Sequence, residues 1–367
     1  MALEGLEAVP GAADGVEDDI VQIDDADTAL DQTVEQSEEA ADIGVSVDAL
    51  AGKLEEKVSS GVGATADEAE MLDIAVEHFC KRLGYKKKVI PAMEGFSTTS
   101  RSLTQTKVAL ENLNELSRRL NTQLAVAQEG IFDSIAKSIS MIFETEDKVL
   151  AKLATASAAY DAKTPKTEPI KNPAWGKYLK SSSSTYNCAA ALALLSKIQK
   201  IASSDAVKTH INELSTCLAA LTKEVRGNWF TSNKADIERI ETIQNKVSQE
   251  IGPLSEMVGS SEKGKAGEFE PISPADKDKM VSAIKDLLND NSLNAVLKKC
   301  FSTSGTFTKW SQVNHNFRAL GVFAEDLRKA NHAAENVNVI LKSVKDLISD
   351  KVKICSALVS YIEASAS

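Results

Sequence analysis

The chain is 367 residues long, 43% apolar and 5% aromatic, with 42 Lys and Arg against 53 Asp and Glu, a formal net charge of −11. That is enough apolar material for a real core, and the shortage of aromatic side chains favours helix packing by Leu, Ile, Val and Ala over a sheet sandwich. No run of about 18 apolar residues exists, which excludes a membrane-spanning helix, and the first fifteen residues have neither the basic start nor the apolar stretch of a signal peptide.

The charge is unevenly spread. The first 52 residues hold no Lys or Arg, and residues 1–50 hold fifteen Asp and Glu. Residues 1–94 carry 23 acids against seven bases, a net −16, whereas the remaining 273 carry 35 bases against 30 acids, a net +5. The sign changes at Pro91-Ala92-Met93-Glu94-Gly95. A cut there would turn an acidic precursor into a mildly basic product.

Taken in chain order, residues 1–60 are expected to be a disordered acidic tail. Asp18-Asp19 and Asp24-Asp25 repel their neighbours, with too little apolar area nearby to offset the ordering entropy. Thr65 with Glu68 marks a helix start, and Met71, Leu72, Ile74, Phe79 and Leu83 continue it to about 83. The segment 61–94 therefore reads as a helix followed by an exposed loop, broken by Pro91 and Gly95. Beyond it, Leu103, Leu110, Leu113, Leu116, Leu120 and Leu124 form one stripe of a helix expected to stop at Gly130. Ile131, Phe132, Ile135, Ile139 and Ile142 open a second helix, to about 160.

A Pro/Lys/Ser connector is expected over 161–183, then helices near 185–203, 205–226 and 233–258, then a flexible connector over 259–273. Ser273 and Pro274 suit the N-cap and first position of another helix. Short helices to about 302, a loop at 302–309, and two helices at 310–331 and 334–364 complete the chain. The fold class is all-α: an elongated or globular helical bundle over 95–367, preceded by the acidic leader.

Little in the sequence points to chemistry. The histidines at 78, 210, 315 and 332 lack companions at metal-ligand spacing. Gly264-Lys265-Ala266-Gly267 lacks the full phosphate-loop spacing and follows no strand, and reads as linker. Cysteines 80, 188, 217, 300 and 355 are dispersed and read as reduced, mostly core thiols. No catalytic group, metal or cofactor is expected, and the chain is not read as an enzyme. Two features carry a functional reading. Ala92-Met93-Glu94, followed by Gly95, is a small-X-Glu tripeptide in a segment open to a protease. The basic surplus after residue 95, beginning with Arg101, Lys107, Arg118 and Arg119, suits weak, salt-sensitive, sequence-blind phosphate contact.

The residues after the break also carry a resemblance. Glu94-Gly95-Phe96-Ser97-Thr98-Thr99-Ser100-Arg101, followed by Gln105-Thr106-Lys107-Val108-Ala109-Leu110-Glu111, resembles the mature N-terminus of internal head proteins of giant, phiKZ-like tailed bacteriophages. Ile131-Phe132-Asp133-Ser134-Ile135 is similar to a segment of the same family. The resemblance is clearest over roughly 90–150. It implies a virion structural protein made with an acidic propeptide in the host cytoplasm. The prohead protease would cleave it after small-X-Glu, here Glu94. The product would stay in the capsid interior with the genome, beside the shell or other internal head proteins and in non-specific contact with packaged DNA, with no membrane role. The alternative is a cytoplasmic helical scaffold or adaptor whose acidic tail binds a partner.

Overall fold

The computed structural model describes residues 15–82, 99–179, 185–221, 229–258, 267–303 and 324–366. Its frame is three long helices. The axis is α3 (Thr99–Asp161), 63 residues and so about 95 Å long at 1.5 Å per residue. Along it lie α1 (Val16–Ser59) and α9 (Ala324–Ala364). Between them in sequence come α2 (Ala66–Arg82), α4 (Cys188–Ala202), α5 (Asp205–Leu221), α6 (Trp229–Val258), α7 (Pro274–Asn289) and α8 (Ser292–Thr303).

The sequence of α3 explains its length. Ala109, Leu113, Leu116, Leu120, Leu124, Ile131, Ile135, Ile142, Val149, Leu153, Ala156 and Tyr160 are all buried. Their spacing keeps one face apolar for the whole helix. Gly130 does not end it, contrary to expectation. A helical glycine costs only about 1 kcal/mol relative to alanine, and the stripe resumes at Ile131 one position later. Gly130 is exposed, and a Cβ there would touch nothing.

The main correction concerns the leader. Residues 16–59 are not a disordered tail but one helix of 44 residues. Val16, Ile20, Ile23 and Leu30 enter the core shared with α3 and α9. Ile43, Val47, Ala51 and Leu54 form a second cluster with Leu72 and Val76 of α2 and Ala109 to Leu120 of α3. The acids of α1 fall on the other positions of the helix, and many meet lysines from distant sequence, so like-charge repulsion does not decide its state. Residues 1–14 lie outside the described residues.

Buried polar contacts set the direction of the three helices. Gln128 donates to Ser37 Oγ (3.0 Å), and Asn338 donates to Gln128 Oε1 (2.7 Å) and to its backbone carbonyl (2.9 Å). One polar layer thus joins α1, α3 and α9. A second forms where Asn331 donates to the Asn121 carbonyl (2.8 Å). Further along, Lys351 and Glu146, each 4% exposed, make an ion pair, and Asn294 of α8 donates to Glu146 Oε2 at 2.9 Å. These pairings run α9 parallel to α3, and α1 antiparallel to both.

The two expected connectors are partly ordered, and the helix expected from about 185 begins at Cys188, with Thr185–Tyr186 a strand before it. Strands β1 (Ile170–Lys171), β2 (Thr185–Tyr186) and β3 (Glu268–Phe269) form a small sheet in the order β1-β3-β2, antiparallel then parallel. A short 3-10 turn, Ala174–Tyr178, brings Trp175 onto Phe269 (ring centroids 4.7 Å apart) and Tyr361 (5.6 Å). This aromatic cluster seals the C-terminal end of α9. The expected break near 332 is absent, because α9 is continuous over 324–364. Two helix starts follow the expected capping: Thr65 and Glu68 form a capping box, and Ser273 accepts from Asp276 N ahead of Pro274.

Removing one partner of the Lys351–Glu146 pair strands a buried charge. Lys351→Ala is expected to cost about 3–5 kcal/mol in urea denaturation, whereas the volume-matched double variant Lys351→Met/Glu146→Leu should lose much less.

Candidate functional site

Five acids on the N-terminal half of α1 meet six lysines brought from three other elements. Glu17 and Asp19 reach Lys152 (3.6 Å) and Lys148 (2.6 Å) of α3. Asp24 reaches Lys177 of the 3-10 turn (3.4 Å) and Lys353 of α9 (2.7 Å), and accepts from Tyr178 Oη at 2.7 Å. Asp27 sits between Lys345 (2.5 Å) and Lys353 (2.8 Å) and also accepts from Ser349 Oγ at 3.2 Å. Asp31 holds Lys342 at 2.9 Å. Asp24, Asp27 and Asp31 are one helical turn apart, so their carboxylates share a face.

This face is covered rather than open. The Lys345 side chain is 1% exposed and that of Lys353 10%. Burial alone would raise the carboxyls of Asp24 and Asp27, but their lysine partners outweigh it and hold both below the ordinary value of 3.8. Burial pulls the Lys353 ammonium down, and Asp27 and Asp24 more than restore it. Three acids of the body border the lysines. Asp346 pairs with Lys342 and Lys345, and Glu363 lies 3.7 Å from Lys152. Burial pushes Asp350 up to about 7.

The far end of the leader is clasped where α3 begins. Ser102 donates to the Ala64 carbonyl (2.6 Å), and Thr106 Oγ1 accepts from Ala64 N (2.8 Å) while donating to the Ser102 carbonyl. Gly63 is required there, because a Cβ would collide with Ser102 Oγ and come within 2.5 Å of Leu103 N. On the side facing α2, Arg82 holds Glu39, and Lys57 holds Glu68 at 2.7 Å.

The residues singled out from the sequence fall elsewhere. Ala92, Met93, Glu94 and Gly95 lie outside the described residues, as does the Arg101 side chain. Lys107, Arg118 and Arg119 are exposed on the first half of α3, and both arginines are tied to Glu115 at 2.8 Å. They are not part of the lysine face, which begins beyond residue 147. Sequence reasoning missed that face because its six members are scattered over more than 200 residues. The available signal was on α1, where acids recur at helical spacing beside Ile20, Ile23 and Leu30.

Nothing in the described residues gathers three metal-ligating side chains. The cysteines are free, all buried except the partly exposed Cys188, and burial pushes the Cys300 and Cys355 thiols up to about 12. No helix among the described residues is long and apolar enough to cross a membrane.

A family model described as phiKZ-like phage internal head proteins matches residues 15–224. That span takes in the leader helix, all of α3 and the chain through α5. No curated protein and no solved structure matches the chain.

Two substitutions probe the seat of α1. Asp27→Asn is expected to cost about 1.5–3 kcal/mol at pH 7. Because the folded carboxyl titrates below 3.8, its stabilisation is present near neutrality and lost as pH falls through the folded value. Urea titrations at pH 7 and pH 3 should therefore show the difference shrinking in acid. Gly63→Ala should cost about 1–3 kcal/mol by forcing the 61–65 loop off α3, read as faster amide exchange in α2.

Proposed function

The chain belongs to the phiKZ-like phage internal head proteins, and from that premise we propose that it is a non-enzymatic structural protein made as an acidic precursor. The prohead protease cleaves it after Glu94, and the product is packaged with the genome inside the capsid, having been assembled from the host cytoplasm. Its partners are the protease, the capsid shell or sister internal head proteins, and packaged DNA by non-specific contact. The family match over more than half of the chain carries this reading. The position of Ala92-Met93-Glu94 supports it: the tripeptide lies between the α2 and α3 segments, where the net charge of the sequence reverses.

The seating of α1 adds a requirement. Breaking one peptide bond at Glu94 does not free a helix held by apolar contacts, ion pairs and the Ser102–Thr106 clasp. Maturation on this reading therefore has two steps, cleavage and then departure of the leader, the second driven by competition for the lysines or by further cutting. The adaptor reading is weaker, because acids that would serve an outside partner are engaged within the chain.

Mass spectrometry of the protein from purified particles tests the proposal. The expected species begins at Gly95. Recovery of chains still covalently carrying residues 1–94 from mature particles would rule it out.

A further inference from the structure

The lysines under α1 are unlike ordinary surface lysines. Six ammonium groups from three elements converge on one side of the α3–α9 pair, and α1 meets every one of them with a carboxylate. We infer that this face is a binding surface for the phosphate backbone of duplex DNA, and that the acids of α1 occupy it as an intramolecular stand-in for phosphates. The inference rests on the reading of the chain as a head-interior protein packaged with DNA.

Length and charge favour this partner. Glu17 to Asp31 spans about 21 Å of helix. Duplex DNA presents about one charge per 1.7 Å, or roughly a dozen phosphates over that distance. Lysine binds phosphate as a flexible point charge, which suits sequence-blind contact. With α1 in place the five acids nearly cancel the six lysines. With α1 lifted, the acids of the body that border the six lysines among the described residues are Asp346, Asp350 and Glu363, three against six, and the face is positive. Ile20, Ile23 and Leu30 add apolar contacts to this charge pairing, so the leader is a competitive cover and not merely a neutralising tail.

The test uses the uncleaved full chain and a fluorescent short DNA duplex, read by anisotropy over a range of salt. Asp24→Asn/Asp27→Asn/Asp31→Asn should bind at least about tenfold more tightly than the parent, with a salt slope corresponding to about three to five phosphates. Adding Lys345→Gln/Lys353→Gln should cancel most of that gain. A control with the same charge change on exposed acids of α1, Glu35→Gln/Glu38→Gln/Asp42→Asn, should gain far less. The inference is overturned if the folded triple variant binds no better than the parent, if the control gains as much, or if the lysine substitutions leave the gain intact. It is also overturned if polyglutamate competes as well as DNA, since the face would then prefer an acidic polypeptide. Should circular dichroism show the triple variant unfolded, Asp27→Asn alone decides: about a threefold gain is expected, and no gain overturns the inference. Uncleaved protein is read throughout, so failure here leaves the Gly95 terminus untouched, and a different terminus in particles leaves this result untouched.

Discussion

The pairing of α1 carboxylates with lysines of α3, the 3-10 turn and α9 is the constraint on which the rest of the molecule depends. Without it, the acids of α1 would lose their partners, Lys353 would lose both carboxylates paired with it, and Lys345 would keep only Asp346, a costly state for buried charges. With it, the three longest helices close around one core. Apolar burial supplies most of the driving force, but it is indifferent to where along its neighbours a helix sits. The ion pairs and the Ser37–Gln128–Asn338 layer make that choice, because a shift by one turn would leave each of these polar groups without its partner.

Charge and position therefore cooperate in a specific way. The second half of α1 is held by apolar contacts to α2 and the start of α3, and the Ser102–Thr106 clasp fixes the turn between them. The first half is held by acids facing lysines. The two halves respond to different conditions. Salt and low pH act on the first, while the second answers to whatever disturbs hydrophobic packing. A leader built in this way can loosen at one end while remaining attached at the other.

Much of the architecture was legible in the sequence wherever the signal was local. The leucine and isoleucine stripe of α3, the Thr65–Glu68 capping box and the Ser273–Pro274 start each rest on residues within a turn or two of one another. The features that depart from local expectation each depend on a partner far along the chain. Residues 16–59 look disordered from their own charge, whereas their helix is held by lysines at 148, 152, 177 and 342–353 and by apolar contacts to α2, α3 and α9. Gly130 was read as a stop because glycine disfavours helix locally, yet burial of Ile131 and Ile135 against neighbouring helices carries the helix through. The two connectors, polar and poor in alternation, and the start of the helix expected from 185 give no local sign that Ile170, Tyr186 and Phe269 meet in a sheet beneath Trp175 and Tyr361. The lysine face was the least legible feature, since no segment of the sequence contains more than half of it.

The reach of Asp27 sets an order on biosynthesis. Its two lysine partners lie 318 and 326 residues downstream. At ribosomal speeds of about 5–20 residues per second, that is a delay of roughly 16 to 65 seconds. Throughout that interval Asp27 lacks both lysines, whereas Asp19, Glu17 and Asp24 meet Lys148, Lys152 and Lys177 much earlier. The seat is complete only once α9 has been made. A chain that stops short of α9 would expose Asp27 and Asp31 without their α9 lysines, a difference a proteolytic surveillance system can read.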